Sequence, residues 1–302
     1  MKGETALQLN TIAIIGGGRV GSGIAVVTAK AGLTTILTEK TDELVEISRE
    51  NIIREMDTQI ARWGMTESEK KLVLANLKIG RDIEHSKDAQ LVICAIHDDL
   101  EEQKDVFRRL NGLCQPDTIF STNASVLSIT ELATVLNNPE NMLGLHFLNP
   151  VLKTKLVEIV RGFKTSDATY EIGKKFIQSL GKRGIEVFES PGFVTTRLIL
   201  PLINEAMYAL MEGVASAEDI DTAMKLGYNM QMGPLEIADR MGLDRVLISM
   251  DHMFKESGDQ KFRACPLIKK LVRAQHVGVK SGEGFFKYDL QSGKKLLTPL
   301  SF

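Results

Sequence analysis

Thr11-Ile12-Ala13-Ile14-Ile15-Gly16-Gly17-Gly18-Arg19-Val20-Gly21 is the stretch that decides the fold. Its first five residues form an apolar, isoleucine-rich run of the kind buried on both faces of a parallel sheet. Three glycines spaced G-x-G-x-x-G follow. A helical pattern then runs from about Val20 to Ala31, with Gly32 at the C′ position. Thr34–Thr38 reads as a second strand, and Asp42 opens a long helix reaching about Trp63. Residues 91–96, 118–121 and 142–147 read as further strands. Strands separated by helix-length segments predict a doubly wound α/β domain. The texture changes at Ser190-Pro191-Gly192, after which the pattern is almost entirely helical. An apolar helix is expected over 198–214. Ser216, with an acid three residues on, caps a helix ending at Gly227. Gly233-Pro234 opens the next one. The expectation is an α/β domain over residues 1–190 followed by an all-α domain over 191–302.

With 302 residues, 43% of them hydrophobic, the chain can fill two modest cores. Its 37 basic and 39 acidic residues nearly cancel, for a net charge of -2. No global field recruits nucleic acid or a membrane surface. The 3 cysteines, Cys94, Cys114 and Cys265, form no CxxC pair and no metal-ligand spacing. They read as reduced thiols of a cytoplasmic protein with no metal. The opening Met1-Lys2-Gly3-Glu4-Thr5 begins no apolar stretch of signal-peptide length. The strongest apolar runs, such as residues 24–29, are soon broken by a charge like Lys30 and are too short to span a bilayer.

The glycines have distinct uses. Gly16 permits the tight turn, Gly18 lets backbone approach a pyrophosphate, and Gly21 lets helix pack close to strand. The helix N-terminus then offers free N–H groups and partial positive charge to phosphates. Glu39 follows at the end of the second strand, where a carboxylate accepts from ribose hydroxyls and repels a 2′-phosphate. The cofactor expected is therefore NAD.

Two further segments carry the chemistry: Ser121-Thr122-Asn123-Ala124-Ser125-Val126-Leu127-Ser128 and Gly144-Leu145-His146-Phe147-Leu148-Asn149-Pro150. The first is a polar turn after a strand. The second puts a histidine near the carboxyl end of a strand, where ligands gather in open α/β sheets, and where an imidazole can take a proton near neutral pH. Lys155-Leu156-Val157-Glu158-Ile159-Val160 alternates like a strand. Should it lie beside the His146 strand, Glu158 would hold the imidazole tautomer and offset its positive charge.

These motifs closely resemble those of the 3-hydroxyacyl-CoA dehydrogenases, particularly the bacterial 3-hydroxybutyryl-CoA type. The resemblance extends through Ser190-Pro191-Gly192-Phe193-Val194, Met232-Gly233-Pro234-Leu235-Glu236 and Lys280-Ser281-Gly282-Glu283-Gly284-Phe285. It implies a Rossmann-type sheet domain, a helical domain for substrate binding and dimerisation, and NAD-dependent oxidation of a short-chain (3S)-3-hydroxyacyl-CoA. By the same resemblance His146 is the catalytic base, Glu158 its orienting acid and Ser125 a contact of the reacting oxygen. Asn149, Asp98 and Lys280 fall near the cofactor, and Arg62 near a CoA phosphate. The substrate is expected between the domains, and the assembly is expected to be a homodimer.

The chain departs from the family's pattern in two places. Thr196 stands where the family carries an asparagine that helps bind the reacting oxygen. A lysine usually found at the position of Gln103 is shifted by one to Lys104, which turns it by roughly 100° on a helix. Two other readings stay open on residues alone: a dehydrogenase of a free hydroxy or sugar acid, and an NAD-binding protein without turnover.

Overall fold

The computed structural model describes residues 9–299, so the opening segment Met1 to Thr5 lies outside the described residues. These residues fall into two compact units that meet in sequence at Phe193 and Val194.

The first unit is built in the order β1 (Thr11–Ile15), α1 (Arg19–Lys30), β2 (Thr34–Thr38), α2 (Asp42–Ala61), α3 (Glu67–Asn76), β3 (Leu77–Gly80) and β4 (Leu91–Cys94). It continues with α4 (Leu100–Asn111), β5 (Ile119–Thr122), α5 (Ile129–Ala133), β6 (Met142–Phe147), β7 (Leu156–Arg161), α6 (Asp167–Ser179) and β8 (Arg183–Phe188). The strands make one eight-stranded sheet in the order β3-β2-β1-β4-β5-β6-β7-β8. Every pairing is parallel except β6 with β7, which is antiparallel.

Side chains alternate across a strand, so β1 feeds two cores. Ile12 and Ile14 pack with Ile24 of α1, Ile52 of α2 and Phe176 of α6. Ala13 and Ile15 pack on the opposite face with Phe107 of α4 and Leu132 of α5. Burial on both faces explains why this strand reads as continuous apolar sequence. Each fully buried aliphatic or aromatic side chain contributes about 1.5–3 kcal/mol over an exposed one.

The local signals have concrete forms. Gly32 has φ +86, and the Thr41 side chain accepts from Leu44 N to cap α2. Thr66 and Glu69 form a reciprocal capping box on α3.

The second unit contains α7 (Thr195–Met211), α8 (Ala217–Gly227), α9 (Pro234–Met241), α10 (Leu243–Ser257) and α11 (Pro266–Arg273), then β9 (Phe286–Tyr288) and β10 (Lys295–Pro299). It is helical as expected, but β9 and β10 add an antiparallel ribbon that the all-helical reading left out. The helix α7 begins three residues before the expected Leu198. It stops at Met211, just ahead of Gly213 in the left-handed region at φ +75.

Two buried carboxylates hold this unit together. Ser216 caps α8, while Asp221 of that helix receives Leu235 N and Glu236 N, both at 2.9 Å. It thereby caps α9, whose own N-cap, Gly233, has no side chain to offer. Asp239 receives Phe285 N and Phe286 N, each at 2.9 Å, and the Tyr288 hydroxyl at 3.0 Å. A Cβ at Gly233 would overlap Asp221, and one at Gly284 would overlap Asp239. The motifs around those glycines are therefore packing requirements of this unit.

Candidate active site

The β1–α1 turn sits where the strand order reverses, between β1 and β4, which is where an open α/β sheet forms its ligand crevice. Gly16 has φ +96, and a Cβ there would come within 2.9 Å of Ile96 Cγ2. A Cβ on Gly21 would overlap the Gly16 carbonyl oxygen. Gly18 differs: a Cβ there would meet nothing within 4 Å. Gly18 is the N-cap of α1 and provides no side-chain cap, and the first turn of that helix holds no acid. The helix end thus presents its N–H groups and partial positive charge beside open space.

Glu39 lies immediately after β2 rather than within it. Its Oε1 accepts from Gly17 N at 2.7 Å and from the Ser48 hydroxyl at 2.8 Å. Both bonds use one oxygen and fix the carboxylate against the glycine turn. Ser48 went unremarked in the sequence, because a serine in a helix usually reads as solvated.

His146 is the penultimate residue of β6, and the antiparallel register sets it directly opposite Glu158 of β7. Its neighbours Leu145 and Phe147 point into the core that includes α6, so His146 faces the other side of the sheet. Its Nδ1 lies 2.6 Å from Glu158 Oε2. Both side chains are buried, Glu158 entirely. A carboxylate only accepts, so the imidazole proton sits on Nδ1 and the Nε2 lone pair is available as a base. The Phe193 ring meets the imidazole edge-on, with centroids 5.7 Å apart.

Ser125 lies in the turn after β5. Its N and Oγ are each 3.4 Å from Asp98 Oδ2, in the loop after β4. Asn123 of the same turn donates N–H to the Cys94 carbonyl at 2.8 Å, and its Oδ1 accepts from Phe147 N at 2.8 Å. The turn after β5 is thus bonded to the loop after β4 and to the last residues of β4 and β6. Asn149 follows β6, exposed, and precedes Pro150 across a cis peptide bond. Gly16, Gly18, Gly21, Glu39, Asp98, Ser125, His146 and Asn149 all lie at the carboxyl edge of the parallel strands.

The remaining candidates stand elsewhere. Arg62 is the exposed C-cap of α2. Thr196 is the second residue of α7 in the other unit, 7% exposed. Lys280 forms an ion pair with Asp244 within that second unit. Lys104 pairs with Glu101 and Glu131. Gln103, one residue earlier, is fully buried. Among the described residues no group of histidine, cysteine and acidic side chains could hold a metal ion.

Residues 11–190 match the family model described as 3-hydroxyacyl-CoA dehydrogenase, NAD binding domain. Residues 192–288 match the model for 3-hydroxyacyl-CoA dehydrogenase, C-terminal domain. A probable 3-hydroxybutyryl-CoA dehydrogenase of Bacillus subtilis (strain 168) is 40% identical over 283 residues, covering 94% of this chain and 99% of that protein. A 3-hydroxybutyryl-CoA dehydrogenase of Clostridioides difficile is 40% identical over 278 residues, 92% of this chain and 99% of that protein. The crystal structure of (S)-3-hydroxybutyryl-CoA dehydrogenase from Ralstonia eutropha superposes with a TM-score of 0.87 at 36% identity, covering 93% of this chain and 100% of that one.

Proposed function

Because the chain belongs to the 3-hydroxyacyl-CoA dehydrogenase family, we infer that it oxidises (3S)-3-hydroxyacyl-CoA reversibly with NAD, taking short chains such as 3-hydroxybutyryl-CoA. The observation that supports this chemistry best is the buried His146–Glu158 pair at 2.6 Å. It lies in the same sheet edge as a glycine turn suited to a dinucleotide.

NAD fits the turn. The open space at Gly18 and the uncapped start of α1 suit a pyrophosphate, and the Glu39 carboxylate suits ribose hydroxyls while opposing a 2′-phosphate. NAD, when bound, supplies the redox chemistry at C3 of the acyl chain. This chain's residues move the proton and hold charge. In the oxidative direction His146 takes the 3-hydroxyl proton on Nε2. Glu158 offsets the positive charge that this places on the imidazole, in a site where burial strengthens the attraction. Ser125 donates to the C3 oxygen, where negative charge develops. Thr196 is the second donor proposed for that oxygen, in place of the family's asparagine. Asp98, Asn149 and Lys280 are proposed as cofactor contacts and Arg62 as a contact of a CoA phosphate.

The proposed assembly is a homodimer through the second unit, which leaves Leu198, Val214, Leu226, Tyr228 and Ile248 each more than 60% exposed. The proposed location is the cytoplasm, in keeping with three free cysteines. No described helix is long and apolar enough to cross a membrane.

The test is NADH consumption with acetoacetyl-CoA beside free acetoacetate. Turnover of the thioester that disappears in His146→Ala is the expected result. Equal turnover of the free acid would remove CoA from the reading. NADH binding without turnover of any short 3-oxoacyl-CoA would remove the reaction.

A further inference from the structure

Gln103 lies inside α4 with no exposed surface, and each end of its amide is used. Nε2 donates to the His97 carbonyl at 3.0 Å, and Oε1 accepts from the Thr122 hydroxyl at 2.7 Å. Thr122 Oγ1 in turn accepts from Ala124 N at 3.0 Å. His97 immediately precedes Asp98, and Ala124 immediately precedes Ser125. One amide therefore fastens the loop after β4 to the turn after β5, directly at His97 and through the Thr122 hydroxyl at Ala124, the residues that precede Asp98 and Ser125. Asp98 Oδ2 meets Ser125 N and Oγ at 3.4 Å. Such contacts are too long to set the spacing by themselves. The bonds of Gln103 and Asn123, at 2.7–3.0 Å, are shorter and hold these segments at their spacing.

We propose that Gln103 is a positioning residue for the reaction, holding the Asp98 loop and the Ser125 turn at the separation the reacting groups require. The proposal rests on the roles inferred above for Asp98 and Ser125. Only a side chain with one donor and one acceptor at fixed spacing satisfies both the His97 carbonyl and the Thr122 hydroxyl. Methionine has similar length and neither group. Glutamate keeps the shape. Its protonated form restores donor and acceptor, whereas its ionised form sets an oxygen against the His97 carbonyl.

Gln103→Met and Gln103→Glu are compared with the parent by amide hydrogen exchange over residues 96–99 and 122–126 and by kinetics with NADH and acetoacetyl-CoA. Gln103→Met is expected to speed exchange in both segments together while β1 and α1 keep their protection. It should lower kcat by roughly 10- to 100-fold with KM for the thioester changed no more than a few-fold, because misplacement of about 1 Å has costs of that order. Gln103→Glu should approach parental kcat at low pH and fall away as its carboxyl ionises, giving a limb that the parent profile lacks. A general loss of fold would not give a reversible limb. Parental exchange in both segments, or a Gln103→Glu profile parallel to the parent, overturns the proposal. Should the parent itself not turn over acetoacetyl-CoA, the inferred reaction fails, and the exchange data still decide whether Gln103 couples the two loops.

Discussion

Glu158→Gln separates the charge of this carboxylate from its shape. The amide fits the same buried space and still offers an oxygen to the Nδ1–H of His146, so the neutral part of the hydrogen bond, about 1 kcal/mol, persists. What disappears is the attraction between carboxylate and imidazolium. With Oε2 at 2.6 Å from Nδ1 and both residues buried, that attraction is direct. For charge centres about 4 Å apart and an effective dielectric of about 20, it amounts to about 4 kcal/mol. The neutral bond being common to parent and variant, the expected loss is about 4 kcal/mol, or roughly 1,000-fold in rate. The charged imidazole forms during oxidation and starts the reductive turnover, so the loss should appear in kcat/KM in both directions. The assay is steady-state turnover with NAD and 3-hydroxybutyryl-CoA, and in reverse with NADH and acetoacetyl-CoA. NADH affinity and thermal unfolding serve as controls. A folded variant that binds NADH normally and retains kcat/KM within about five-fold would refute the reasoning.

Three further outcomes follow from the geometry. Gly21→Ala forces a methyl into the Gly16 carbonyl oxygen, so the turn must open; NADH affinity measured by fluorescence titration should fall at least about 10-fold, roughly 1.4 kcal/mol. Thr196→Asn replaces a hydroxyl by the family's amide, whereas Thr196→Val removes the donor; by turnover assay Thr196→Val should lose the larger part of kcat, up to about 100-fold for one donor, and Thr196→Asn should not. Burial raises the Asp239 carboxyl from its ordinary 3.8 to about 7, against the opposing effect of its Phe285 and Phe286 N–H donors. The folded state thus binds this proton more tightly than the unfolded chain, so the contribution is fully present below about pH 4 and lost as pH rises through about 7. Thermal melts of the parent should show that decline across the window. Asp239→Asn should flatten it, at a cost of about 1–3 kcal/mol for the amide N–H₂ turned against a backbone N–H.

The central strands were legible because burial on both faces leaves an unbroken apolar run. β1 and β6 could be read to their end residues in this way, and β2, with three threonines, from its β-branched residues. The two edge strands were not. β3 holds only Leu77 to Gly80, none of it fully buried, and β8 has exposed and half-buried residues with Val187 alone buried. An edge strand lacks the second apolar face that would announce it. The start of α7 was missed for a related reason: its first turn, Thr195-Thr196-Arg197, is polar, and the apolar pattern begins only at Leu198. In the site, residue types identified His146 and Glu158 as candidates. Their contact depends on the register of β6 against β7, which no spacing in the chain encodes. Gln103 was noticed only as a position where a lysine was missing. A lone glutamine on a helix carries no sequence signal of burial, and its two partners lie on different loops.

The single reversal of strand direction within the eight-stranded sheet has a consequence for how this protein can change. Where β6 meets β7, one residue of slippage would carry Glu158 to the far face of the sheet and leave the imidazole facing a hydrophobic neighbour. The segment joining the two strands, residues 148–155, is under no such rule. Its length can change so long as the strands rejoin in phase and Asn149 and the core residue Val151 keep their places. Changes of length in that connection therefore need not disturb the pairing of His146 with Glu158. Insertions of a single residue within either strand would be expected to abolish turnover even where the fold survives.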